Sequence, residues 1–190
     1  MIIKKTTKSF LMFLLLFAVS AVSSKAESGT LTKITKKGYT LSFVKPEGFA
    51  ASSCEDGRIE YKVSGCTFIS MLILYKKNIP RWAYYKERLD YQDFRVRKGI
   101  SKILAGNSTL GGNLKTYYYL KEMRIDKKKR EKTYLIFFEK FIDTIGGKYN
   151  VLVKSVVRSN TLEAVNKNIN TGAFIFRSFS VSYDENYRED

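Results

Sequence analysis

The chain of 190 residues contains no histidine. That absence removes Ser–His and Cys–His nucleophile pairs and every imidazole metal ligand. Cysteine is nearly missing too: Cys54 and Cys66 are the only two, and no C-x-x-C motif occurs. A metal pair and a redox pair both lack support. Acidic residues are scarce, 18 against 34 lysines and arginines, which leaves a net charge of +16. A phosphate-binding loop is missing as well. The stretch "GNSTLGGNLK" has the glycines but not the Lys-Ser/Thr that should follow them, so Gly111-Gly112 reads as a turn. Asp90 and Asp93 stand three apart on a predicted helix and read as a solvated face. Asp184, Glu185, Glu189 and Asp190 read as a polar tail that frays. No catalytic residue, metal site or cofactor is expected from these residues, and the chain reads as a non-enzyme.

What is present begins with a targeting segment. Residues 1–26 have the three parts of a signal peptide. Lys4, Lys5 and Lys8 supply the positive start, Phe10 to Val22 the apolar run, and Ser24-Lys25-Ala26 the small residues before a cut after Ala26. The apolar run of 13 residues is short of the roughly 20 that span a bilayer. The expectation is export to a periplasmic or extracellular space, with residues 27–190 as a single domain. Cleavage removes four lysines and no acid, so the mature charge stays near +12. Such a surplus favours acidic partners: an acidic envelope polymer, an anionic lipid surface, or an unidentified protein. Nucleic acid is disfavoured, because no nucleic-acid module is present and exported proteins rarely meet it. In an exported chain an even cysteine count suggests one disulfide, Cys54–Cys66, closing a short loop worth about 3 kcal/mol. The sequon Asn107-Ser108-Thr109 matters only in a glycosylating system.

The pattern along the mature chain is mostly that of strands. Leu31 to Phe49 reads as a first strand, since Tyr39, Leu41 and Phe43 alternate with Thr40 and Ser42. Arg58–Val63 reads as a second. Cys66 to Lys77 is nearly continuous in apolar residues, the mark of a strand buried on both faces. Residues 79 to 93 change to a helical period, with Asn78 as cap and Pro80 in the first turn. Trp82, Tyr85 and Leu89 form its apolar stripe, expected to be core, while Lys86, Glu87, Arg88 and Asp90 form a solvated face. Asn113–Ile125, Thr133–Asp143 and Lys148–Arg158 then read as a three-stranded meander turning at Asp126–Lys132 and Gly146-Gly147. Residues 161–179 read as helix capped by Asn160 or Thr161, with a break at Gly172 as the alternative.

The basic residues gather in two places. Lys76, Arg81, Lys86, Arg88, Arg95 and Arg97 are among those on the predicted helix and its flanks. Lys127, Lys128, Lys129, Arg130 and Lys132 fall at the first turn of the meander and form the candidate polyanion-binding site. Charges at a hairpin turn are also solvated at little cost, so the turn is explained with or without a ligand.

The order of elements, with three local motifs, resembles the PsbP/Mog1-like fold family. "GYTLSFVKPEGF" is similar to that group's opening strand and turn, "TLGGNLKTYYYL" to its glycine followed by an aromatic strand, and "FIFRSF" to its closing helix. The resemblance runs over roughly residues 31–180. It implies an α+β fold, an antiparallel β-sheet flanked by helices (an αβα sandwich), and an accessory or binding role with no shared catalytic motif. The function expected is that of an exported, non-catalytic accessory or binding protein of the cell envelope. The alternatives are a polyanion- or membrane-binding factor and an enzyme of unrecognised type.

Overall fold

The computed structural model describes residues 29–77, 79–107, 118–143 and 147–188. The expected signal peptide, the Asn78 cap, the sequon beyond Asn107, the Gly111-Gly112 turn, the start of the strand at Asn113, Gly146 and the last two acids lie outside them.

Among the described residues, ten strands and three helices form an antiparallel α+β fold. Strands β1 (Gly29–Lys36) and β2 (Tyr39–Pro46) make a hairpin that the C-terminal β10 (Ser180–Tyr183) extends, in the order β1-β2-β10. A second sheet of seven strands follows the order β3-β4-β5-β9-β8-β7-β6. Its members are β3 (Ala51–Glu55), β4 (Arg58–Val63), β5 (Cys66–Lys76), β6 (Ser101–Asn107), β7 (Tyr118–Asp126), β8 (Glu131–Ile142) and β9 (Tyr149–Ser159). Helix α1 (Arg81–Arg97) lies on one face; α2 (Leu162–Lys167), α3 (Ile169–Arg177) and the small sheet cover the other. This is the antiparallel sheet flanked by helices that the sequence leads one to expect.

The central strands explain themselves. In β9, Val151, Val153 and Val157 pack toward α2, α3 and the small sheet, where Leu41, Phe43, Val165 and Ile175 meet them. Leu152 and Val156, of opposite parity, pack toward α1. Strand β5 does the same with Phe68 and Leu72 on one side and Ile69 on the other. Both faces are buried, so the apolar run is continuous rather than alternating.

Four expectations are corrected. The first strand is a hairpin, because Lys37 and Gly38 both take positive φ (48° and 75°) and reverse the chain there. The last helix breaks at Asn168, not at Gly172. Asn168 leaves helical geometry and its amide donates to the Ala164 carbonyl and to Cys66 Sγ. Gly172 instead sits inside α3, where the helix backbone presses on Val157. Thr161 is the cap: its hydroxyl oxygen accepts from Ala164 N at 3.3 Å. The start of the polar tail does not fray: Tyr183 pairs with Tyr39 of β2, their rings 4.6 Å apart, and Asp184 N–H donates to the Gly38 carbonyl at 2.9 Å.

The fourth correction concerns the cysteines. Both are free; Cys54 is exposed on β3 and Cys66 buried at the start of β5. Cys54 pairs with Ile59 and Ile59 with Ser70, so β4 lies between the two thiols and Cys66 is four residues further along. At normal strand spacings their Cα atoms are ~16 Å apart, well beyond the roughly 7 Å a disulfide bridges. The sequence distance was right for a bridge, but the intervening chain is a strand. Burial also pushes the Cys66 thiol pKa up, with Ser159 and Asn168 only partly opposing it. Iodoacetamide should therefore modify Cys54 quickly in the native protein and Cys66 only on unfolding. An oxidised pair in intact-mass measurement, or equal rates, would contradict this arrangement.

Candidate functional site

Helix α1 turns an unusual face toward the sheet. Arg81, Tyr84, Tyr85, Arg88, Gln92 and Arg95 recur at helical spacing and line its inner side. Three of these six are arginines. Trp82, Phe94 and Val96 are left outside, Trp82 with 66% of its surface exposed. The expected core stripe thus holds at two of its three residues. Tyr85 and Leu89 pack on the sheet and Trp82 does not. The expected solvated face is wrong at Arg88, whose side chain is only 13% exposed.

The cause lies in the sheet beneath. On β8 the residues facing α1 are Leu135, Phe137, Glu139 and Phe141, and on β7 they include Leu120 and Glu122. Glu139 and Glu122 are buried carboxylates at positions where the strand pattern calls for apolar residues. Buried charges need partners, and α1 and the neighbouring strands supply them. Glu139 meets Lys154 Nζ at 2.9 Å and Arg88 Nε at 3.4 Å, and the Tyr84 hydroxyl donates to it at 3.3 Å. Glu122 meets Arg95 at 3.0 Å and Arg124 at 3.3 Å, and accepts from the Ser101 hydroxyl. Arg81 closes the helix start on Asp143 at 3.1 Å. At the other end Lys127 Nζ donates to the Lys98 carbonyl at 2.8 Å, where a cation suits the helix C-terminus.

Between the two carboxylates lies a groove of about 320 Å³. Phe137 forms its floor, and Arg124, Arg88 and Lys154 stand around that ring at 5.1, 5.5 and 5.7 Å from its centroid. Tyr75, Tyr84 and Tyr91 complete the aromatic lining, with Glu87 at the rim. Four cations here face two buried carboxylates, a local surplus of positive charge in a part-desolvated site. Burial pulls the Arg124 pKa below its usual value, and Glu122 offsets this only in part. The charged guanidinium is therefore under-solvated, and an anion placed beside it would be favoured. Burial, ahead of the charge on Glu139, pushes the Tyr84 phenol pKa far up. It stays protonated and remains a donor.

The basic run expected to bind polyanions sits where it was placed. Lys127, Lys128, Lys129 and Arg130 make the exposed turn between β7 and β8, and Lys132 lies just inside β8. Asp126 Oδ1 accepts from the backbone N–H of Lys128 and Lys129 at 2.9 and 3.0 Å, and Arg130 takes a φ of 56°. The turn is thus built by Asp126 and the backbone of Arg130, and the side chains of Lys128, Lys129 and Arg130 bond to no described residue. The groove residues were visible in the sequence only as part of the general basic excess. The signal that could have found them is a single glutamate on the core parity of an apolar strand, Glu139 in "LIFFEKFI".

Replacing Lys127, Lys128, Lys129 and Arg130 together with serine should leave the melting temperature almost unchanged, because exposed substitutions cost little. Retention on heparin should fall, most of all at low salt. Unchanged retention would reduce the run to a solvated turn, and a large drop in melting temperature would contradict the hairpin.

No family model and no curated relative matches the chain. Among solved structures it is similar to a mutant of the protein Mog1. The match has 12% identity and a TM-score of 0.49, and covers 85% of this chain and all of that one. The class stated here, an antiparallel sheet flanked by helices, rests on the strand order and layers described above.

Proposed function

We propose that the protein is an exported, non-catalytic binding protein of the cell envelope. It captures an anionic ligand with an aromatic or apolar portion in the groove beneath α1. The observation that carries the reading is the ring of Arg88, Arg124 and Lys154 around Phe137, in a groove where cations outnumber carboxylates. A flat apolar floor suits a ring or chain, and the cations suit its acidic group. A binding role fits better than a catalytic one, because Glu122 and Glu139 are each tied to two cations and serve to hold them. Export rests on the signal-peptide pattern of residues 1–26.

Anilinonaphthalene sulfonate, a ring system with one negative charge, is a suitable probe. The mature chain should bind it in the native state, and affinity should fall as salt rises. Arg124→Gln should weaken binding about tenfold, since a hydrogen bond to a charged group contributes roughly 1.5–3 kcal/mol. Arg95 still holds Glu122 in that variant, so the fold should survive. Equal affinity in the variant would overturn the site.

A second reading has its own observation. Trp82 and Phe94 stand exposed on the outer side of α1, and Arg97, Lys98 and the basic turn lie near its end. Aromatic and basic groups together suit an anionic membrane surface. Sedimentation with phosphatidylglycerol vesicles, lost in Trp82→Ser with Phe94→Ser and kept in Arg124→Gln, would favour this reading over the groove.

A further inference from the structure

A different corner of the same sheet face carries a second site. Beyond α1, β9 continues from Lys154 through Val156 to Arg158, so Arg158 stands about 13 Å from Lys154 along the strand. Thr67 on β5 is its register partner; on the other side its partner is Leu135 of β8, and Thr133, two residues before Leu135, lines the same cavity. With Ser159, Asn160 and Thr161 these residues line an open cavity of about 500 Å³.

The charge here is not matched. The half-buried Arg58, Arg81, Arg88, Arg124 and Lys154 and the buried Arg95, on this side of the fold, each stand within 4 Å of a carboxylate. Arg158 is half-buried as well, yet it makes no ion pair or hydrogen bond through its side chain with any described residue. Lys62 is the register partner of Thr67 on β4 and adds a second positive charge to the same row. The side chains of Thr67, Thr133 and Asn160 likewise make no hydrogen bond to a described residue. Ser159 differs: its hydroxyl donates to the Gly65 carbonyl and accepts from Thr161 N, which fixes the wall. A part-desolvated guanidinium surrounded by uncommitted hydroxyl and amide groups is a receptor for a charge that the protein does not supply.

We infer that this corner is a second binding site, and that it takes a small oxyanion, a phosphate or carboxylate carried on a polar, hydroxyl-bearing body. Arg158 binds the anion with two parallel N–H donors, and Thr67, Thr133 and Asn160 hydrogen-bond the rest. No aromatic residue lines the cavity, which separates its ligand from the ring-bearing one proposed for the α1 groove. The inference does not depend on that groove.

Titration calorimetry of the mature chain would use inorganic phosphate, glycerol phosphate and gluconate at low salt. Saturable binding of at least one is expected, with glycerol phosphate against gluconate deciding between phosphate and carboxylate. Arg158→Gln should weaken it at least tenfold, and Thr133→Val by a smaller factor, while Arg124→Gln leaves it unchanged. Circular dichroism on each variant checks folding; should Arg158→Gln fail to fold, Arg158→Lys replaces it and should lose affinity with the loss of the paired donors. Binding retained in the Arg158 variant, absent for all three probes, or lost equally in Arg124→Gln would overturn the site. Absence of anilinonaphthalene sulfonate binding to the unaltered chain, with phosphate binding intact, would count against the α1 groove and support this corner as a separate site.

Discussion

Replacing Glu139 with alanine is expected to destabilise the protein by about 3–5 kcal/mol, the usual result of removing one partner from a buried charge cluster. Glu139 has no exposed surface, and its removal leaves Arg88 and Lys154 facing each other across Phe137 with no carboxylate. For a domain of this length the melting temperature should drop by on the order of 10 °C. The informative comparison is the triple variant Glu139→Leu, Arg88→Leu, Lys154→Met. It removes all three charges while keeping volume, so most of the stability should return. It should also abolish anion binding in the groove, since two of the three cations are gone. A loss below about 1 kcal/mol in the alanine variant would mean that water reaches the cluster. The groove would then be a surface feature and its charge surplus of little consequence.

Gly172→Ala is expected to destabilise as well, against the direction of helix propensity. In an ordinary helix the change gains up to about 1 kcal/mol. Here a Cβ would overlap Val157 Cγ2 and come within 3.3 Å of Phe138 Cε2, so α3 would have to lift from β9 and β8. Overpacking of this kind costs roughly 1–3 kcal/mol, and the net should be a loss in urea denaturation. Gly172→Val should lose more than alanine. A gain of stability in the alanine variant would show that α3 moves freely on the sheet.

How far the sequence led is clearest at particular residues. Strand β4 was legible to its end residues, and β5 within one, because two-sided burial writes itself as an apolar run. The hairpin turn at Asp126–Arg130 was legible because a turn needs no core. The failures share a cause: each depended on which strand neighbours which. A Cys–Cys spacing that suits a loop gave no sign that β4 would lie between the two thiols. The strand at Ser180–Tyr183 went unread because nothing local shows that β2 has a free edge to fill. Helix α1 misled most. Its Arg88 looked like part of a solvated face, since helix periodicity shows what shares a side and not which side is covered. Glu122, 27 residues from Arg95, and Glu139, 51 residues from Arg88, turn that face inward together with Asp143. The α1 groove is therefore tertiary information, and so is the Arg158 corner, which combines three strands with the start of α2.

The central claim, that ligand enters beneath α1, is tested most directly by an amide chemical-shift titration of the mature chain with anilinonaphthalene sulfonate. The account predicts saturable shifts concentrated at Glu87–Tyr91 on α1, Phe137–Glu139 on β8 and Val153–Ser155 on β9, all reduced in Arg124→Gln. Shifts confined to Lys127–Lys132 and the outer residues Trp82 and Phe94, with the groove silent, would contradict it.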